Sequence, residues 1–179
     1  MVKYIALLRG INVSGRNKIA MPQLRAAFEK RGFTEVTTYI NSGNVLFSSD
    51  IQERKKLIDS CEALILEHFD LNISVAIVAV DELAEAITHA PDWWDQAAET
   101  IHYAIFMIPP MTVTEVFAAV GEIKPEYEKI AHHDNVIFWS APRKTFNKAR
   151  WLKIASSTVN HHVTIRNANT VKKLIAMSK

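Results

Sequence analysis

The sequence predicts an α+β protein made of tandem ferredoxin-like (βαββαβ) units, each followed by an extra short helix. Three observations lead there. Strand-like and helix-like apolar periodicities succeed one another as strand-helix-strand-strand-helix-strand, and then do so again. Corresponding points lie a near-constant distance apart: Asn44 to Asn135 is 91 residues, Val75 to Val163 is 88 and Asp81 to Thr170 is 89. The turn stretch Ile40-Asn41-Ser42-Gly43-Asn44-Val45-Leu46-Phe47-Ser48 also has an echo in His132-His133-Asp134-Asn135-Val136-Ile137-Phe138-Trp139-Ser140. Local identity between the halves is low, so the repeat rests on element order.

In chain order, Tyr4 to Leu8 reads as a buried strand, followed by a loop from Arg9 to Lys18 that carries two glycines. Met21-Pro22 opens a helix with proline at its favoured first position, and Leu24, Ala27 and Phe28 form its apolar face. Gly32 stops that helix and Phe33 folds back as the hydrophobic contact of the cap. Val36 to Ile40 and Asn44 to Ser48 are strands joined by the Asn41-Ser42-Gly43-Asn44 hairpin. Ser49 with Gln52 offers a capping box for the next helix, whose inner side carries Leu57, Ile58, Cys61, Leu64, Ile65 and Phe69. Asn72 to Val80 is the fourth strand, and Asp81 is expected to cap a short added helix ending before Pro91.

The second half runs through a strand from Ile101 to Ile108, a helix from the Thr112–Glu115 capping box with Val113, Val116, Phe117 and Val120 inward, and a hairpin of Tyr127–His132 and Asn135–Ser140. A helix from Phe146 to Val159, a strand from His162 to Arg166 and a last helix from Thr170 to Met177 complete it. The expected domains are residues 1–95 and 96–179, with the division near Pro91 to Thr100.

Composition narrows the functional classes. At 49% hydrophobic and 22% charged residues, with few Gly and Pro, the chain reads as ordinary globular protein. No apolar run reaches the roughly 20 residues of a membrane span, and no signal peptide is evident. One cysteine permits no internal disulfide, so a cytoplasmic location is expected. The net charge of +2 hides segregation. Met1 to Lys56 holds ten Lys/Arg against four Asp/Glu, Leu57 to Ile123 twelve acids and no Lys or Arg, and Asn135 to Lys179 nine Lys/Arg and no acid. Such blocks mark an anionic partner or surfaces that pair with one another.

Few residues offer chemistry by spacing alone. Arg9, Arg16 and Lys18, with Asn12 and Asn17 between them, place three cations in a glycine-containing loop leading to a helix N-terminus. Backbone N–H groups, the helix dipole and arginine forks there suit phosphate or carboxylate. The alternative is that Arg9 pairs with an acid of the Leu57–Ile123 block while the asparagines bond loop backbone. Arg166 and Asn167 stand at a strand end beside the last helix, where Asn167, Asn169 or Thr170 can cap. Arg143, Lys144, Lys148, Arg150 and Lys153, with Phe146 and Trp151 interleaved, suit a nucleic-acid backbone or are the wet side of an amphipathic helix. The loop after the first strand is expected at the opposite end of the sheet from the Asn41–Asn44 hairpin, about 17 Å away, so that Arg9 and Ser42 share no small site. His132-His133-Asp134 and His161-His162 carry metal-ligand chemistry, but neighbouring strand residues face opposite sides, and no metal or cofactor is expected. Cys61 reads as a buried structural thiol, Tyr4 and Phe47 as core rather than base-stacking platforms, and Trp93-Trp94 as a packing or partner contact.

Arg9-Gly10-Ile11-Asn12-Val13-x-Gly15-x-Asn17, then Met21, Leu24, Gly32 and Tyr39-Ile40-x-Ser42-Gly43-Asn44-Val45-x-Phe47, together with Val163 to Leu174, resemble the bacterial family called domain of unknown function 1697 (DUF 1697). These motifs bracket nearly the whole chain. Ser14 stands where glycine is usual and Ala168 where an aromatic is expected. The resemblance implies a tandem ferredoxin-like fold and brings no reaction, cofactor or substrate. The functional expectation is anion binding, of nucleic acid or a phosphorylated small molecule, by Arg9, Asn12, Arg16, Lys18, Arg166 and Asn167. Two alternatives stand beside it: an enzyme acting on a small anionic substrate in a cleft between the units, and an interaction module using the acidic block and Trp93-Trp94.

Overall fold

The computed structural model describes residues 1–179. It is a mixed α+β structure with two four-stranded antiparallel sheets. Two compact units are present: Met1–Leu83 together with Leu174–Lys179, and Ala84–Lys173.

The first unit contains β1 (Val2–Leu8), α1 (Met21–Lys30), β2 (Thr34–Tyr39), β3 (Asn44–Ser49), α2 (Arg54–Phe69) and β4 (Val75–Ala79), with sheet order β2-β3-β1-β4. Alternation along β1 sends Tyr4, Ala6 and Leu8 into one core with Leu24, Ala27 and Phe28 of α1 and Leu57, Cys61, Leu64 and Ile65 of α2. Phe47 sits at its centre, 4.7 Å from Phe33, 5.4 Å from Phe28 and 5.9 Å from Tyr4 between ring centroids. Tyr4 and Phe47 are therefore core, as expected. The opposite-facing residues Ile5, Leu7, Leu46 and Ala76 are buried as well, which leaves the central strands no open platform for bases. Gly32, at φ +98°, ends α1, and Phe33 donates its N–H to Phe28 O at 3.2 Å, the expected fold-back cap.

The register corrects the expected separation of loop and hairpin. β1 and β3 are antiparallel, with Leu7 opposite Asn44, so the last residues of β1 meet the first residues of β3. Leu8 N–H donates to Gly43 O at 2.8 Å and Arg9 N–H to Ser74 O at 3.0 Å. The loop after β1, the β2–β3 hairpin and the start of β4 share one end of the sheet.

Two helix starts also differ from expectation. Ser49 belongs to β3, and its Oγ accepts the Ile51 N–H at 3.1 Å in a local turn; α2 begins only at Arg54, behind Glu53, with no side-chain cap. Strand β4 is shorter than 72–80, and α3 (Val80–Thr88) follows it directly. The side chain that bonds back to its start is Glu82, which accepts the Ala79 N–H at 3.1 Å, rather than Asp81.

The second unit contains β5 (Thr100–Met107), α4 (Val113–Val120), β6 (Lys129–His133), β7 (Val136–Pro142) and β8 (Val163–Asn167), with sheet order β6-β7-β5-β8, and α5 (Ala168–Met177) follows β8. The Thr112–Glu115 capping box is formed, and Val113, Val116 and Val120 face inward. The expected helix over 146–159 is replaced by 3-10 turns at Arg143–Lys148, Arg150–Ser156 and Asn160–His162. Glu128 supplies the reason. Its carboxylate, 2% exposed, accepts the backbone N–H groups of Arg150 (2.7 Å), Trp151 (3.1 Å) and Lys124 (2.9 Å) and the Trp139 indole N–H (3.0 Å). The two N–H groups that a continuous helix would give to carbonyls four residues back are held by a side chain instead.

No helix is long and apolar enough to cross a membrane.

Candidate anion site at the end of β1

The loop from Arg9 to Ile19 is a built hairpin. Val13 and Arg16 form an antiparallel bridge, with Arg16 N–H donating to Val13 O at 2.9 Å. The central residues Ser14 and Gly15 have φ of +50° and +76°, the type I′ pattern that twists with a hairpin. Asn12 and Asn17 are also left-handed, at φ +53° and +49°, the one region asparagine enters with moderate cost.

Asn12 fastens this hairpin to the sheet end. Its Nδ2 donates to Ile19 O at 2.9 Å and to Asn41 O at 2.8 Å, and its Oδ1 accepts the Ile19 N–H at 2.9 Å. Asn17 Nδ2 donates to Gly10 O at 2.9 Å. The β2–β3 turn is fixed in the same place. Gly43, at φ +85°, packs so tightly that a Cβ there would stand 2.6 Å from Ile11 Cδ1 and 2.8 Å from Leu8 Cβ. Asn44 is fully buried and its Nδ2 donates to Tyr39 O and to Ser42 Oγ, at 2.9 and 3.0 Å.

What this scaffold presents outward is positive. Arg16 and Lys18 are exposed, neither forms an ion pair, and no acid precedes Glu29 in the chain. Arg9 is partly buried at the root of the loop. The loop leads into α1, which starts at Met21 with Pro22 in its first turn and has neither a side-chain cap nor an acid there. Arg9, Asn12, Arg16 and Lys18 thus share one loop, with Asn12 turned to internal bonding.

Arg166 and Asn167 belong to the second unit. Arg166 is 8% exposed, and its Nη1 donates to Thr164 Oγ1 (2.8 Å) and Ile165 O (2.9 Å). Burial pulls its guanidinium down to about 10, which leaves it charged at neutral pH. Asn167 Oδ1 accepts the Thr170 N–H at 2.8 Å and so caps α5. Several other residues turn out to be structural. Trp94 is buried edge-on against Phe138 and donates its indole N–H to Tyr103 O at 2.9 Å. Trp151 is fully buried, Phe146 packs on Tyr103 and Trp139, and the cations among them are mostly exposed. Burial pushes the Cys61 thiol well above its ordinary range, so it is no nucleophile. The segregated charges meet in part: Arg31 pairs with Glu67 at 2.6 Å, Arg54 with Glu82 at 2.9 Å and Lys172 with Asp95 at 2.7 Å.

One constellation escaped the sequence reading. Glu85, His89 and His133 bring a ligand atom each to within 4.8 Å of one another. The Glu-x-x-x-His spacing on one helix face was visible, whereas its partner lies 44 residues further on.

Comparison with known proteins bears on the fold and family and adds no reaction. The structure titled "The structure of conserved bacterial protein SP0830 from Streptococcus pneumoniae" is similar at a TM-score of 0.88 and 29% identity, over 99% of each chain. No curated protein matches the sequence. The family described as "Protein of unknown function (DUF1697)" matches residues 1–138, which include the hairpin loop, the Asn41–Asn44 turn, the whole first sheet and the second sheet as far as the start of β7. The chain belongs to that family.

Proposed function

We propose that the protein binds phosphate groups of an anionic ligand through the hairpin loop at the end of β1, on a frame of two ferredoxin-like units derived from one duplicated plan. The strand orders β2-β3-β1-β4 and β6-β7-β5-β8 support that frame. The observation that carries the binding site is the combination of a strained, pinned hairpin with unpaired outward cations. Left-handed non-glycine residues cost on the order of 1 kcal/mol each and persist where the surroundings enforce them. Asn12, Ser14 and Asn17 are three such residues in one loop, and the tip that they hold in place displays Arg16 and Lys18.

A nucleic-acid backbone fits this display better than a small phosphorylated molecule. The tip is convex, with Val13 57% exposed, and meets a ligand from outside rather than enclosing it. Repeated phosphates along a strand supply the several contacts that exposed cations need in salt water.

The test is fluorescence anisotropy of labelled RNA and DNA oligonucleotides across a salt series. Binding at low salt should weaken steeply as salt rises, and Arg16→Ala or Lys18→Ala should each flatten the log–log slope by roughly 0.7–0.9. Absence of binding at low salt, joined to an unmoved melting temperature with phosphate and nucleotides, would refute the proposal. A melting shift with nucleotides alone would move the ligand to the small-molecule class.

A further inference from the structure

We infer a second site, unrelated to the hairpin loop: a divalent transition-metal site of zinc type, built from Glu85, His89 and His133. Glu85 lies in the last turn of α3 and His89 one residue past its end, with its N–H still bonded to Glu85 O at 3.3 Å, so their side chains share a face. His133 ends β6 at the β6–β7 turn and stacks on His89 with ring centroids 4.1 Å apart and planes 5° from parallel. Two imidazoles and a carboxylate are the donor set that zinc accepts with three protein ligands and a position left for water.

The partners of the rings match that role. His89 Nδ1 lies 3.0 Å from the backbone carbonyl of Glu85 and 3.2 Å from Thr88 Oγ1. The Thr88 hydroxyl already donates to that same carbonyl at 2.7 Å. A carbonyl only accepts, so this contact is a hydrogen bond in the tautomer with the proton on Nδ1, the one that leaves the Nε2 lone pair for a metal. A backbone carbonyl on the far nitrogen is the usual orienting contact of a metal-bound histidine. His133 Nε2 lies 3.5 Å from Asp134 Oδ2, which places a second carboxylate at the rim. Zinc with bonds of 2.0–2.2 Å brings tetrahedral ligand atoms to about 3.3 Å apart. Imidazole lone pairs lie in the ring planes, so the two parallel rings must turn out of their stack to face one ion and close from 4.8 Å to that spacing; Glu85 and His89 are exposed and His133 only partly buried, which leaves room for that rotation. Soft thiolate metals are disfavoured by the absence of sulfur, and magnesium and calcium by the two nitrogens.

The experiment is titration of zinc into the tag-free, metal-stripped protein against a chromophoric chelator. One equivalent should bind with micromolar or tighter affinity. His89→Ala and His133→Ala should each weaken binding at least tenfold, and Glu85→Gln should weaken it to a smaller degree. These are surface substitutions, and unchanged circular dichroism will show that they fold. His161→Ala/His162→Ala removes the other exposed histidine pair and should leave the affinity unchanged. Zinc binding that survives His89→Ala/His133→Ala, or that is lost with His161→Ala/His162→Ala, overturns the assignment. So does an absence of binding at ten times the protein concentration of zinc.

Discussion

Gly43 shows how one position can need glycine twice over. Its φ of +85° is costly for any side chain, and the space where a Cβ would stand is filled by Ile11 and Leu8. Gly43→Ala is expected to lower stability by roughly 2–4 kcal/mol, the sum of a left-handed penalty and overpacking, seen as a lower urea midpoint. An unchanged midpoint would mean that the turn relaxes freely. The sequence showed the turn residues but assigned them to turn chemistry alone. The demand for close approach comes from Ile11, a residue of a different loop. The same crossing of loops explains Asn12. It was legible as a loop residue that bonds backbone, yet its bond to Asn41 requires the two loops to lie at one sheet end. The expectation of opposite ends fails on strand direction: β1 runs antiparallel to β3, so its last residues meet the hairpin. Ser14, where the family resemblance leads one to expect glycine, takes the left-handed conformation that glycine would take freely.

At the scale of elements, apolar periodicity located all eight strands and the five α-helices to within a few residues, the largest offset at the start of α2, expected behind Ser49 and found at Arg54. Where it failed, a side chain had taken over a backbone bond. The segment after Pro142 carries a helical apolar stripe, and Trp151 and Ile154 are indeed buried. The ladder is nevertheless broken, because Glu128 holds the N–H groups of Arg150 and Trp151. One acid more than twenty residues upstream cannot be seen in a local pattern. Glu128→Gln replaces an acceptor-only group by one that must turn an NH₂ toward N–H donors. Orphaning even one or two of these donors costs about 2–5 kcal/mol. Thermal melting should record the loss, accompanied by a change in near-ultraviolet circular dichroism from Trp139 and Trp151. A melting temperature within a degree of wild type would show that the 3-10 segment does not depend on this carboxylate. The Ser49–Gln52 box failed for a related reason. The box pattern was present, but β3 extends through Ser49 and spends its hydroxyl on the turn.

For the whole molecule, the charge blocks resolve in two ways. Arg31, Arg54 and Lys172 pair with acids, while Arg16, Lys18 and the exposed cations between Arg143 and Lys153 do not. Composition could announce the excess but not its location, since pairing is decided by three-dimensional neighbours. The metal constellation was hidden in the same manner, for its third member joins through the hairpin turn. The chain also departs from a simple succession of halves. Leu174–Lys179 belong with Met1–Leu83, and Lys3 Nζ donates to Ser178 O at 3.2 Å. Leu174 is 1% exposed, so Leu174→Ala should cost about 2–5 kcal/mol. Deleting 174–179 should cost at least as much, measured as protease susceptibility of the first unit. Equal resistance with and without these residues would show that they are ornamental.

That discontinuity has a consequence for synthesis. A ribosome makes Leu174–Lys179, the piece that completes the first unit, only after the ninety residues that follow Leu83. During that interval the nascent chain carries an unfinished fold, open to chaperones and proteases. Maturation of Met1–Leu83 is therefore timed by a segment made much later.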